Sequence, residues 1–167
     1  MNSIAGFMDW LANTPMSVEI RESLWGYPII ETVHVLGLCL FLGFTMVLDL
    51  RLLGVAMKRT PASEVCGRLE PWMVGGFAVM IVSGALLFYG DPAKFYGSIF
   101  MRMKFAMLIL AGLNVLIFKL GTYRKVRDWD LHEATPVGAK IAAGLSLTLW
   151  FCVVAAGRAI AYFLPPS

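Results

Sequence analysis

Pro28–Arg51 reads PIIETVHVLGLCLFLGFTMVLDLR, and the interpretation of this stretch decides the fold. A membrane-spanning helix needs about 20 consecutive, mostly apolar residues, and this run supplies them behind a proline suited to a helical first turn. It nevertheless carries Glu31, His34 and Asp49. At about 100° per residue, Glu31, His34, Leu38, Thr45 and Asp49 fall on one stripe, with Cys39 well off it. Such a stripe is expected to face other helices rather than lipid.

Three later stretches share this character: about 72–89, uncharged throughout; about 99–120, interrupted by Arg102 and Lys104; and about 139–164, interrupted by Arg158. With the first span, taken as about 28–52, they predict an all-α polytopic membrane protein, an antiparallel four-helix bundle forming one domain over residues 1–167. Composition agrees. The 167 residues are 59% hydrophobic and only 15% charged, with mean hydropathy +0.74, which excludes an ordinary soluble globule. The net charge of +3 is small and its basic residues are scattered between apolar segments, so nucleic acid is not an expected partner; the lipid bilayer is.

Residues 4–25 form an arm before the first span, and its apolar stretch 4–13, with Phe7, Met8, Trp10 and Leu11, is too short to add another. Thr14-Pro15 suits an N-cap and first helical residue, opening a helix expected to end near Gly26. Met16, Ile20 and Leu24 recur at helical spacing, and Trp25 and Tyr27 follow, which predicts an amphipathic interfacial helix. Pro61, Pro92 and Pro136 mark further helix starts. No basic region followed by an apolar core and a small-residue cleavage site opens the chain, so a cleaved signal peptide is not expected.

Lys58, Arg59 and Arg68 follow the first span, and Lys119, Arg124, Lys125, Arg127 and Lys140 follow the third, whereas the N-terminal arm and the connector after the second span offer Arg21 and Lys94. The positive-inside rule then places both termini outside the cytoplasm, in the periplasm if the membrane is a bacterial inner membrane.

In that orientation Glu31, His34, Lys104 and Arg158 all fall within about 10 Å of the outer end of their spans at 1.5 Å per residue. Intramembrane charges cost about 2.5–3.5 kcal/mol each, so Glu31 is expected to pair with Arg158 or Lys104. Two uses follow. The charges clamp helices, or Lys104 and Arg158 receive an anionic group beside His34, which acts as metal ligand, proton carrier or hydrogen-bond donor. Haem b and copper are the candidate cofactors: His34 with Met80 or Met107 provides a His/Met pair for haem, or soft ligands for Cu(I). His132 lies in the opposite connector, so one chain cannot supply a bis-histidine haem. A second copy bringing two His34 residues together restores that option.

A second polar cluster, Asp49, Arg51, Arg68 and Asn114, lies toward the cytoplasmic end. Arg51 and Arg68 are expected to neutralise Asp49 and Glu70, and Asn114 to bond between helices. The alternative is that Asp49 belongs to a proton path. Gly37, Gly43, Gly76, Gly84, Gly112, Gly144 and Gly157 are candidate close-packing positions. Cys39, Cys66 and Cys152 form no zinc or redox motif, and Cys39 and Cys152 are expected as small core residues. No phosphate loop, nucleophile elbow or Ser/His/Asp arrangement is present, which disfavours an enzyme acting alone.

Trp25, Pro28, His34-Val-Leu-Gly37, Asp49-Leu-Arg-Leu-Leu-Gly54, Pro71-Trp72, Lys104, Ala111-Gly-Leu-Asn114 and Gly157-Arg158-Ala-Ile-Ala-Tyr162 together resemble an uncharacterised family of small four-helix bacterial inner-membrane proteins. More distantly they resemble the membrane domains of copper-resistance D proteins. Sequences of this type often carry a histidine soon after Asn114, where this chain has Phe118 and Lys119. The resemblance implies metal or redox handling near the outer face. The expected function is therefore a redox, haem-carrying or copper-handling membrane module working with a periplasmic or membrane redox partner. The alternatives are an anchoring subunit of a membrane complex and a small proton-coupled transporter.

Overall fold

The computed structural model describes residues 3–130 and 135–163; His132 lies outside the described residues. All regular structure among them is helical. Two short helices, α1 (Ser3–Ala12) and α2 (Pro15–Glu22), precede the long α3 (Gly26–Leu52) and α4 (Ala62–Gly90). The short α5 (Pro92–Gly97) leads to α6 (Ile99–Leu120), and a 3-10 turn with the short α7 (Val126–Trp129) leads to α8 (Val137–Phe163). Helices α3, α4, α6 and α8 are each long and apolar enough to cross a membrane. Their outward faces carry exposed Ile, Leu, Val and Phe, so the chain is a multi-pass membrane protein whose bundle meets lipid.

Local chemistry sets the helix ends. The helix opened by Thr14-Pro15 stops at Glu22 rather than near Gly26, because Ser23 turns extended and its Oγ accepts the Gly26 N–H at 2.9 Å, so that Gly26 starts α3. α4 starts at Ala62 and runs through Pro71. Pro61 stands at its start, as the sequence predicts, so the helix opens ten residues before the span expected from Trp72, and Pro71 sits inside it, which membrane helices tolerate.

Helix α3 packs most extensively on α4, and α6 on α8; α3 against α8 joins the two pairs. The ring therefore runs α4–α3–α8–α6. Around the remaining seam, α4 and α6 meet through long side chains: the Phe88 and Phe105 rings, 6.4 Å apart at one end, and the Glu70–Lys119 ion pair, 2.6 Å, at the other. The α3–α4 contact is close because Gly37 and Gly76 face each other. A Cβ on Gly76 would stand 2.9 Å from the Phe41 nitrogen and 3.1 Å from the Gly37 oxygen. Gly43, Gly112 and Gly144, expected at packed positions, have open space where a side chain would go.

The core has two parts. Phe41, Met80, Ala111, Leu149, Trp150 and Val153 fill the middle, with Phe41 edge-on to Trp150 at 4.7 Å. Leu48, Leu52, Ala62, Val65, Cys66, Phe118, Ala139 and Ala143 fill the end bearing the α3–α4 and α6–α8 connectors, called here the connector end. Cys39 is exposed, contrary to the expectation of a core position, and Cys152 is half-buried.

At the opposite, terminal end the arm grips α4. The last carbonyls of a helix have no partner within it, and those of α4 are taken by α2: Ser17 Oγ donates to the Tyr89 oxygen at 2.8 Å, and Arg21 to the Gly90 oxygen at 3.4 Å. Thr14 and Tyr89 share a hydroxyl–hydroxyl bond of 2.8 Å. Ile4, Phe7, Trp10, Met16, Leu24 and Trp25 are left exposed on the arm, apolar and aromatic surface of the kind that sits in a lipid interface.

Candidate functional site

His34 of α3 is half-buried, and its ring is held by α4. Its Nδ1 lies 2.9 Å from Ser83 Oγ, and Ser83 Oγ donates its one hydrogen to the Val79 oxygen at 2.6 Å. With that hydrogen spent, Ser83 accepts and His34 Nδ1–H donates. The Met80 carbonyl also bears on the ring as a hydrogen-bond acceptor. Nε2 is left with its lone pair. Gly84 makes the room: a Cβ there would come within 3.1 Å of His34 Cε1.

Lys104 of α6 reaches the same place. It is half-buried, its charge is felt at His34, and Nζ lies 3.9 Å from where a Cβ on Gly157 of α8 would stand. All four spanning helices thus contribute to one level: His34, Ser83 with Gly84, Lys104 and Gly157. Among the described residues no carboxylate lies within 4.0 Å of Lys104.

The other two residues expected at this level do not join it. Glu31 is exposed and makes no ion pair among the described residues; its charge bears on Tyr27, one turn earlier. Arg158 is exposed and folds back along α8, donating to the Tyr162 hydroxyl at 2.7 Å with its guanidinium 5.0 Å from that ring. The reason is angular. Gly157 faces Lys104, and its neighbour in sequence is turned about 100° away. Arg102 likewise stays outside, over Tyr96.

Met80 is buried in the mid-bundle core, and Met107 packs against that core beside aliphatic and aromatic neighbours. Among the described residues no three His, Cys, Asp or Glu side chains gather in a way that could hold a metal ion. The titratable groups brought together at this level are the His34 imidazole and the Lys104 ammonium.

In the second cluster the expected pairing rearranges. Arg51, buried, donates from Nε to the Thr60 oxygen at 2.6 Å and from Nη1 to Thr135 Oγ1 at 3.4 Å. Arg68 pairs with Glu64 at 2.6 Å, an exposed i,i+4 contact, and Glu70 pairs with Lys119. Asn114 Nδ2 donates to the Ala142 oxygen at 2.9 Å, tying α6 to α8. Asp49 is buried, and no cation among the described residues pairs with it. Its Oδ2 has no hydrogen-bond partner, and buried Ser146 of α8 is the hydroxyl that bears on its carboxylate.

Sequence reasoning passed over Ser83, Gly84 and Ser146 in these roles. A signal existed for two of them. Gly76, Met80 and Ser83 recur at i, i+4, i+7 on α4, as do Ala139, Ala143 and Ser146 on α8, so each serine sits on a stripe that must face inward.

A family model described as a family of unknown function, DUF6644, matches residues 19–163. Neither a curated protein nor a solved structure matches the chain at a significant level. The resemblance to copper-resistance D membrane domains gains no support from these comparisons.

Proposed function

For a chain that belongs to the DUF6644 family, whose function is unknown, we propose a membrane module that holds an anionic ligand at the terminal end of its bundle. Lys104 is the electrostatic anchor, and the free Nε2 of His34 is the group beside it that accepts a proton or a metal centre carried by that ligand. One observation carries this reading: a half-buried ammonium at the meeting point of four spanning helices, with no carboxylate beside it among the described residues. A cation inside a membrane span costs about 2.5–3.5 kcal/mol, and a chain that keeps one there without an internal partner leaves the compensation to a bound anion. Nor is the balance restored by Glu31, which stays at the surface.

The orientation of His34 favours haem as the ligand. Imidazoles that bind metals have their second nitrogen fixed by a hydrogen bond, and Ser83 provides that constraint at Nδ1. Haem brings carboxylates for Lys104 and an iron for Nε2 in one molecule. Copper alone has less to hold it, because the thioether of Met80 is committed to the core. Placement of Lys58, Arg59, Lys119, Arg124, Lys125, Arg127 and Lys140 at the connector end supports an orientation with that end in the cytoplasm and the site near the periplasmic face of an inner membrane.

Native mass spectrometry of the purified protein, together with its ultraviolet-visible spectrum and metal content, tests this reading. The expected result is a bound anionic small molecule that Lys104→Met releases; a Soret band lost in His34→Ala identifies it as haem. A protein that carries no such molecule and gains no affinity for carboxylate ligands over Lys104→Met would sink the proposal and leave an anchoring role as the better reading.

A further inference from the structure

Asp49 takes no part in the ligand site, being on the same face of α3 as His34 but about 22 Å away at 1.5 Å per residue. It is 5% exposed, and its Oδ2 has no hydrogen-bond partner among the described residues. Among the described residues no Lys or Arg forms an ion pair with it. Arg51, two residues on, spends Nε on the Thr60 oxygen and Nη1 on Thr135. From α4, Glu70 is paired with Lys119 of α6, and Arg68 with Glu64. The Cys66 thiol of α4 points to Glu70, and Lys140 of α8 is exposed. Among the described residues, Ser146 of α8 is the polar side chain that bears on the carboxylate, and it is neutral.

A bare carboxylate in such surroundings is far costlier than a neutral acid. A carboxylic acid with an unpaired O–H forfeits one hydrogen bond, whereas an ionised group without a counter-charge forfeits its whole solvation, so buried carboxyl groups bind a proton instead. Acidic residues inside membrane spans are rare and mark ion pathways and proton relays.

We infer that Asp49 is a proton-binding site, resident in the bundle as the neutral carboxylic acid, held between α3 and the Ser146 face of α8. The inference stands apart from the ligand at Lys104 and survives its failure. With His34 Nε2 as a proton acceptor near the other end of the same helix, the chain has proton-exchanging groups at two depths of its interior.

Infrared spectroscopy of the full-length protein in lipid nanodiscs at neutral pH reads the proton directly. The carbonyl stretch of a protonated carboxyl is expected in the wild type, shifted by 13C-labelled aspartate and lost in Asp49→Asn, while Glu70→Gln leaves it in place. The isotope shift needs no variant, so a misfolded Asp49→Asn does not blunt the test. As a second reading, dicyclohexylcarbodiimide, a membrane-soluble reagent for protonated carboxyls, is expected to form one N-acylurea adduct that maps to Asp49. Lack of an aspartate-dependent band overturns the inference. A band that sodium abolishes at constant pH overturns it too, in favour of a monovalent cation site.

Discussion

Ser83 Oγ stands 2.9 Å from His34 Nδ1 while giving its own hydrogen to the Val79 oxygen at 2.6 Å. This relay decides which imidazole nitrogen carries the hydrogen. A helix hydroxyl that bonds back to the carbonyl one turn earlier is common, but here it leaves Ser83 only acceptor capacity toward the ring.

Replacing Ser83 with Ala should therefore release the ring more than it weakens the fold. The expected loss of stability is about 0.5–1.5 kcal/mol, the usual worth of one such bond. Nitrogen-15 NMR of His34 should show the Nδ1–H form in the wild type and a mixture of tautomers in Ser83→Ala. An unchanged tautomer would mean that the Met80 carbonyl alone orients the imidazole.

Gly84 supports the same ring by absence. Because a Cβ would stand 3.1 Å from His34 Cε1, Gly84→Ala should displace the imidazole by a few tenths of an ångström, and Gly84→Val should drive it out of its place. Overpacking of this kind costs about 1–3 kcal/mol. Ligand retention measured by native mass spectrometry should fall from wild type to alanine to valine, in that order.

Glycine substitutions at the α3–α4 crossing separate packing from composition. At Gly76 a methyl group meets backbone, with the Phe41 nitrogen 2.9 Å away, and backbone cannot rotate aside. At Gly43 it meets nothing. Gly76→Ala should lower the unfolding midpoint in detergent by an amount matching about 1–3 kcal/mol, and Gly43→Ala should leave it unchanged or raise it slightly, since alanine favours helix over glycine. Equal effects at the two positions would contradict the close crossing.

The same glycines mark how far the sequence could be read. Hydropathy and the prolines at 15, 61, 92 and 136 made the four-helix architecture legible, because span length and first-turn geometry are properties of single segments. The inward stripe on α3 was legible in part for the same reason: Thr45 and Asp49 are buried and His34 and Leu38 half-buried, whereas Glu31 at its outer end is exposed. What one helix cannot encode is the register of its neighbour. Depth counting put Arg158 level with His34, yet its guanidinium lies along α8 over Tyr162. Depth is one coordinate and azimuth another. Ser83 escaped notice because an isolated serine in an apolar helix looks like filler until the imidazole opposite it is in place. Asp49 was assigned to Arg51 by proximity in sequence, whereas Arg51 reaches over the helix end to the connector at Thr60.

The seam between α4 and α6 provides the last test. Backbones there do not pack as they do at the other three neighbouring pairs, so the Glu70–Lys119 contact at 2.6 Å is a principal link at the connector end. Both side chains are partly exposed, 48% and 34%, and an ion pair so placed contributes about 0.2–1 kcal/mol. Reversing either charge alone should cost more than removing it: Glu70→Lys leaves two cations across the seam, and Lys119→Glu two anions, with Arg68 and Glu64 engaged with each other and unable to compensate. The double reversal should recover most of the loss. A double-mutant cycle on unfolding midpoints in one detergent measures the coupling, which should shrink as salt is raised because the pair is open to solvent. A coupling indistinguishable from zero at low salt would show that the two helices are held at this end by the Phe118 core alone, and that the charges are incidental to the seam.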